Sequence, residues 1–258
     1  MKNFLTTTIA MLALSGGSAS AADMAPRLAT KAPAAAPVFS WTGCYIGGFV
    51  GGATPDRDVR AVDLNGYNGI GETWFYRADS TFIGGGTVGC NYQTGAFVVG
   101  VEGEAGYLRS AGSALDPFSR FLPLDTVSST RLGDWYGVIA GRAGFAVDRT
   151  LFYVKGGAAF INVNVSTIDA NPAGNTIFAY GSDNRATWAL GGGIEYALTN
   201  SWTIKGEYLY LDTRETIDAC GNATIGGRRF CWSHDVPGLH TGKIGLNYKF
   251  GGPVVGQR

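Results

Sequence analysis

The chain has 258 residues, of which 40 are glycine, 12% are aromatic and only 16% are charged, against roughly 25% charged in an average soluble domain. Lys plus Arg and Asp plus Glu balance at 20 each, which leaves no electrostatic case for nucleic acid or for an anionic surface as partner. Glycine without a Gly-X-Y period, many aromatics and few prolines suit strands crowded into a closed sheet, and the length accommodates one β-barrel or two small domains.

Residues 1–21 read as an export signal: Lys2 supplies the positive start, Phe4 to Leu14 the apolar stretch, and Ala19-Ser20-Ala21 the small-residue cleavage site. The apolar stretch is shorter than the ~20 residues that a membrane-spanning helix needs, and no other uninterrupted apolar run of that length occurs. The expectation is an exported protein without a transmembrane helix. Residues 22–40 are rich in Ala and Pro without periodicity, and read as a flexible leader.

The first strand is predicted over 41–52, with neither alternate set of side chains clearly polar. Residues 54–80 carry Pro55, Asp, Arg and Gly and read as a long loop. A strand over 81–92 sets Phe82, Val88, Cys90 and Tyr92 against Thr87 and Asn91, and a tight turn follows at 93–95. The strand over 96–108 places Phe97, Val99, Val101 and Tyr107 opposite Glu102 and Glu104. A loop with Pro117 and Pro123 is expected over 110–132. The strand over 133–147 then sets Trp135, Ile139 and Phe145 against Asp134, Tyr136 and Arg142, and turns at 148–150.

In the strand over 151–165, Phe152, Val154 and Phe160 oppose Tyr153 and Lys155. A loop at 167–183 leads to a strand over 184–198, with Trp188, Leu190, Ile194 and Tyr196 opposite Arg185, Thr187 and Glu195. After the turn at 199–201, Trp202, Ile204, Tyr208 and Tyr210 oppose Thr203, Lys205 and Glu207 in a strand over 202–213. The loop at 216–237 precedes the last strand, 239–250, where Ile244, Leu246, Tyr248 and Phe250 oppose Thr241, Lys243, Asn247 and Lys249. Such period-two alternation marks strands with unlike surroundings on their two faces.

The prediction is eight strands joined alternately by long loops and three-residue turns, with both ends of the barrel segment (41–250) on the short-turn side. That is the pattern of an antiparallel up-and-down transmembrane β-barrel with apolar residues outward and polar residues inward. Localisation in the cell outer membrane, with both termini periplasmic, follows from it. A secreted lipocalin-like barrel also has eight strands, but it needs the reverse orientation of the two faces.

Opposite the aromatics stand four acids, Glu102, Glu104, Glu195 and Glu207, and four bases, Arg142, Lys155, Lys205 and Lys243. An eight-stranded barrel is just wide enough for side chains to fill it, so matched charges read as a structural ion-pair plug of the lumen and not as a solute filter or a catalytic centre. Aromatics gather near the short turns and, with Trp135, Phe160 and Trp188, toward the long-loop ends, as two interfacial girdles.

Four cysteines in an exported chain suggest bridges. Cys220 and Cys231 share one polar stretch and form the preferred pair, which leaves Cys44 and Cys90 as the second. No C-x-x-C occurs and only two histidines are present, so no metal site and no cofactor is expected.

Three stretches carry a family resemblance: Ser40-Trp41-Thr42-Gly43-Cys44-Tyr45-Ile46-Gly47-Gly48, the run from Cys90 to Glu104, and Gly245-Leu246-Asn247-Tyr248-Lys249-Phe250. Together they resemble alphaproteobacterial outer-membrane β-barrel proteins of the porin-like surface-antigen group. The resemblance implies an OmpA/OmpX-like barrel with a structural, surface-exposed role. It also implies that Cys44 faces outward, on the side of Cys90, where the family usually has an aromatic. Tyr248 and Phe250 resemble the terminal signal read by the barrel-assembly machinery, here followed by a tail, 251–258. Partners implied are outer-membrane lipids, lipopolysaccharide and that machinery.

Other roles are weighed on particular residues. A small-solute porin is the first alternative. Loop-mediated ligand or haem binding has Tyr67, Tyr76 and His234 as candidates. A lipid-modifying enzyme needs a nucleophile and a base in reach, for which only His240 with Asp235 or Ser233 presents itself; a polar residue at the membrane interface is the plainer reading, and no enzymatic activity is expected.

Overall fold

A computed structural model describes residues 39–66, 69–117, 126–170 and 174–250. The expected export signal, the leader up to residue 38 and the tail lie outside them. Among the described residues there are twelve β-strands and no helix. They are β1 (Gly43–Pro55), β2 (Val59–Asp63), β3 (Thr73–Tyr76), β4 (Thr81–Thr94), β5 (Phe97–Leu115), β6 (Thr126–Val147), β7 (Thr150–Ala170), β8 (Thr176–Ala197), β9 (Trp202–Leu211), β10 (Glu215–Asn222), β11 (Arg229–Val236) and β12 (Leu239–Phe250).

Every pairing is antiparallel. Eight strands close on themselves in the order β1-β4-β5-β6-β7-β8-β9-β12, and β12 returns to β1 over the full stretch from Cys44↔Phe250 to Pro55↔Leu239. That closure removes both sheet edges. The tight turns fall where expected: Gly95 (φ 59°) and Asp148 (φ 50°) take the left-handed backbone that glycine and aspartate tolerate.

The four expected long loops are corrected. The stretch 54–80 holds β2 and β3, and 216–237 holds β10 and β11, while β5 to β8 run far into 110–132 and 167–183. The extra strands prolong the barrel in the same neighbour order, because β10 continues β9, β11 leads into β12, β2 continues β1 and β3 leads into β4. The second tier is β5-β6-β7-β8-β10-β11-β2-β3, and the segment after β3 returns to β5 through Asp79 N–H to the Ala111 carbonyl, 2.9 Å. The molecule is therefore eight staves in two tiers. β5 to β8 pass through both tiers unbroken, while the other four staves kink between them.

The kinks explain why the sequence read as loop. Pro55-Asp56 and Pro237-Gly238 carry breaker residues, yet they cross the boundary and are tied to each other: Asp56 N–H donates to the Gly238 carbonyl and Gly238 N–H to the Asp56 carboxylate, both at 3.0 Å. Four steps from Leu211 to Glu215 are matched by three from Leu239 to Val236, a one-residue slip of the bulge type. β6 has its own irregularity at this level, between Leu132 and Tyr136, where Gly133 and Asp134 take positive φ.

Along β7 the two tiers have opposite faces. In the lower one, Phe152, Val154 and Phe160 of β7 point out and Tyr153 and Lys155 point in. Above the boundary the same strand turns Asn162, Asn164 and Ser166 outward, and Ile161, Val163 and Val165 inward. The upper interior is an apolar core that includes Val59, Trp74, Ile177, Ile217, Phe230 and Trp232. Phe39 and Ser40, grouped with the leader in the sequence reading, belong structurally to the barrel. Phe39 and Trp41 (1% exposed) pack with Val98, Leu151 and Tyr153 in the mouth at the short-turn end, and the backbone N–H of Trp41 donates to Gln93 Oε1 at 2.7 Å.

Candidate functional site

The lower interior gathers all eight expected charges into one connected group. They come from β5, β6, β7, β8, β9 and β12, and all are buried. Alternation aims them inward, and the registers bring them to neighbouring heights, as Glu195↔Lys205 and Lys243↔Glu207 show. Lys155 is the centre: its Nζ lies 2.8 Å from Glu102, 3.1 Å from Glu104 and 2.7 Å from Glu207. Lys243 bridges Glu104 (2.6 Å) and Glu207 (2.8 Å), and Lys205 reaches Glu102 at 3.1 Å. Arg142 spans Glu102 (3.3 Å) and Glu195 (2.8 Å).

Three carboxylates, Glu102, Glu104 and Glu207, have oxygens within 4.8 Å of one another, which is metal-ligand spacing. The Lys155 ammonium sits among them and supplies the positive charge that a cation would bring.

Residues outside the eight complete the group. Tyr45, Tyr136 and Tyr153 donate to Glu102 (2.5 Å), Glu104 (2.6 Å) and Glu207 (2.8 Å). Thr203 (2.5 Å) and Asn247 (2.9 Å) donate to Glu195. The Arg142 guanidinium also lies over the Tyr153 ring, 4.6 Å from its centroid. Sequence reasoning had Tyr136 and Tyr153 on the polar face but assigned them no role, and Tyr45 was hidden by the ambiguous parity of the first strand. Room for these long side chains comes from inward-facing glycines. A Cβ on Gly89 would collide with the Tyr45 hydroxyl, and one on Gly245 would press on Lys205 at 3.1 Å.

The group is bounded along the barrel axis by apolar side chains. Trp41 and Phe39 lie toward the short turns, and Ile83, Leu108, Leu209 and Leu239 toward the upper tier.

Other candidate residues are placed differently from expectation. Tyr76 and His234, offered as loop ligands, are buried in the upper core and bonded to each other: Tyr76 Oη lies 3.0 Å from His234 Nδ1, with Thr167 Oγ1 3.1 Å from Nε2. Burial pushes His234 down to about 4, against a smaller upward pull from Asp218. Neither side chain is open to a ligand, and Tyr67 lies outside the described residues. His240 lies 2.6 Å from Tyr208 Oη, while Asp235 accepts from Arg60 (3.0 Å) and Thr216 (2.5 Å). The structure therefore gives His240 and Asp235 different partners instead of pairing them.

Cys44 and Cys90 are directly opposed on β1 and β4 and are bonded, as are Cys220 and Cys231 on β10 and β11. Tyr248 and Phe250 end β12 on its outer face, with Tyr248 packed against Trp202 at 5.1 Å between ring centroids.

The outer wall of the lower tier is exposed and apolar between two aromatic levels. One carries Phe97, Phe145, Phe152, Tyr196, Trp202 and Tyr248; the other carries Tyr107, Trp135, Phe160, Trp188 and Tyr208. On β5 to β8, eight to ten residues of tilted strand separate them, about 20–25 Å along the axis, the height of the apolar band of an outer-membrane barrel.

Comparison with known proteins agrees with this architecture. A family model described as an outer membrane protein β-barrel domain matches residues 9–250. A 31 kDa outer-membrane immunogenic protein of Brucella melitensis is 32% identical over 97% of this chain and 100% of its own length. A 22 kDa outer membrane protein of Rhizobium leguminosarum is 30% identical over 68% of this chain and 66% of its own. Among solved structures, the outer membrane protease OmpT of Escherichia coli superposes with a TM-score of 0.52 at 7% identity, covering 84% of this chain and 99% of its own, a likeness of fold alone. With its closed antiparallel staves, its apolar outer wall and these relatives, the chain belongs to the outer membrane protein β-barrel family.

Proposed function

We propose that the protein is a non-enzymatic integral barrel of the cell outer membrane. In this reading the eight-charge group closes the lumen, and the upper tier is the face displayed outside the cell. The observation that carries the reading is the Lys155 ammonium held by three buried carboxylates. Four acids and four bases balance, and the carboxylates have tyrosine, threonine or asparagine donors besides, so a passing solute would have to break charge-assisted bonds with no water to replace them.

The orientation is supported by the outward serines and asparagines of β6 and β7 in the upper tier, which suit water, and by the chain delivering its first and last strands on the short-turn side. Export by residues 1–21 and recognition of Tyr248 and Phe250 by the barrel-assembly machinery belong to the same reading. The two disulfides would then serve an oxidising compartment, the Cys220–Cys231 bridge stiffening the outermost hairpin.

Planar-bilayer recording tests the closed lumen. The purified chain is expected to give no steady openings on the nanosiemens scale. Such openings, abolished by enlarging Gly89, would establish the small-solute porin instead.

A further inference from the structure

The outer wall carries a second feature that the closed lumen does not use. On the outward face of β5 to β8, just above the aromatic level of Trp135 and Phe160, lies a half-open polar groove of about 800 Å3. One cross-strand row through it is Ser113, Ser129, Ser166 and Tyr180, with Arg131 and Asn164 in the row beneath. Arg77 stands at its edge, exposed, and makes no ion pair among the described residues. Arg131 and Arg109 share a single carboxylate, Asp134, at 3.7 and 3.8 Å, and the Arg131 Nε has no hydrogen-bond partner. The groove is thus rich in hydroxyl and amide groups and flanked by an exposed tyrosine face, and the three arginines outnumber the two carboxylates beside them, Asp134 and the exposed Asp79 of the groove's own lining.

It does not end at the boundary. Asn162, bonded to Asn164 at 2.8 Å, lines a second depression with Trp135 and Phe160 directly below. Phe160 and Gly137 are shared with a third, apolar depression in the lower wall. There Gly48, Gly86, Ala105 and Gly137 are successive cross-strand neighbours that end at Phe160. Added Cβ atoms on Gly86 and Gly137 would meet the backbone at 3.6 Å, an ordinary contact, so packing does not demand glycine at either position.

We infer that this continuous wall, from the Gly86–Gly137 trough up to Arg77, Arg131 and Tyr180, is a binding site for a phosphorylated, acylated saccharide of the surrounding membrane leaflet. An acyl chain fits the trough, because the occupant of a lipid-facing apolar depression is lipid. Sugar hydroxyls fit the serine and asparagine row, with a ring face against Tyr180. A phosphate fits the guanidinium groups, whose fork matches its oxygens. The polar groove is too large for a phosphate alone and too hydroxyl-rich for a simple phospholipid head. The site rests on the proposed orientation, with the upper tier outside.

Native mass spectrometry of the full chain in detergent tests it with three probes: bisphosphorylated lipid A, dephosphorylated lipid A and phosphatidylglycerol. The phosphorylated saccharide is expected to be retained at about tenfold lower concentration than either other lipid, the effect of a pair of charge-assisted contacts. R77A/R131A is expected to reduce it to the dephosphorylated level, and G137L to weaken all acylated probes. G206L, on the far wall with open space around it, is expected to change nothing. If R77A/R131A loses heat-modifiable migration, Y180A is read in its place. Equal retention of the three probes, preference for phosphatidylglycerol, or retention unchanged in the arginine variant overturns the site. Silence in the bilayer recording is independent of all three results, so this site and the closed lumen fail separately.

Discussion

The lower and upper tiers are built from the same eight staves, yet the two faces of β7 change places between them. Below the boundary a stave such as β7 keeps apolar residues outside and a lysine inside; above it, the asparagines are outside and the valines inside. Backbone geometry does not change, since both tiers are closed antiparallel sheets with side chains alternating between two faces. What changes is the medium outside. Lipid makes the apolar face the outer one and leaves the interior to charges that must satisfy one another, whereas water restores the ordinary arrangement with an apolar core. The comparison also separates two kinds of cohesion. The lower interior depends on pairing, in which a single loss strands its partners, and the upper interior depends on packing, in which a loss leaves a cavity.

The largest test of that difference is Lys155→Met. It leaves Glu102, Glu104 and Glu207 without their shared cation and is expected to cost about 3–5 kcal/mol or more, the range for breaking a buried ion pair. The measurement is the denaturant midpoint of the heat-modifiable form. Adding Glu104→Gln should recover part of the loss because it restores the charge balance, a non-additivity that a packed core would not give.

Trp232→Ala is the counterpart in the upper tier, where Trp232 is fully buried. The expected cost is about 3–5 kcal/mol from lost burial and a cavity, confined to the upper tier. Limited proteolysis should cut within 215–236 while the barrel remains heat-modifiable. If both tiers lost protection together, the division into two regions would fall.

The smallest expected effect is that of pH. His234 is neutral in the fold, with its ordinary value near 6.5 lowered to about 4 by burial. In the unfolded upper tier it takes up a proton first, so stability is complete above about 6.5 and is lost as pH falls from there toward 4. By pH 5 the loss is about 2 kcal/mol by linkage, read as faster hydrogen exchange in β10 and β11. His234→Gln should remove that dependence and leave the lower tier's exchange unchanged.

Much of the lower tier was legible in the sequence. Lipid and a charged interior impose the sharpest contrast between alternate residues, so the eight charges, the short turns and the closing strand 239–250 stand out. Tyr45 was missed because β1 alternates glycines and apolar residues on both faces and shows no parity of its own. The upper tier was less legible for a physical reason. Its outward residues are small and polar, with Ser129 paired to Ser166 across strands and Asn164 to Asn162 along one, and its inward ones include Ser128 and Thr130, so the alternation fades. Pro55 and Pro237 mark kinks between strands, yet in sequence they resemble the ends of loops. The partnership of Tyr76 with His234, 158 positions apart, follows from barrel closure and has no local signal.

The exchange of faces along β7 has a further consequence before the barrel closes. A strand whose apolar side is the same from end to end is a template for stacking, and copies of it in water join into cross-β aggregates. In β7 the apolar side changes over near Phe160 and Ile161. Two unfolded copies laid face to face therefore match over one half and bring polar residues against apolar ones over the other. The arrangement that suits lipid below and water above also makes the strand a poor partner for itself, a safeguard that the proposed export through an aqueous compartment would call on.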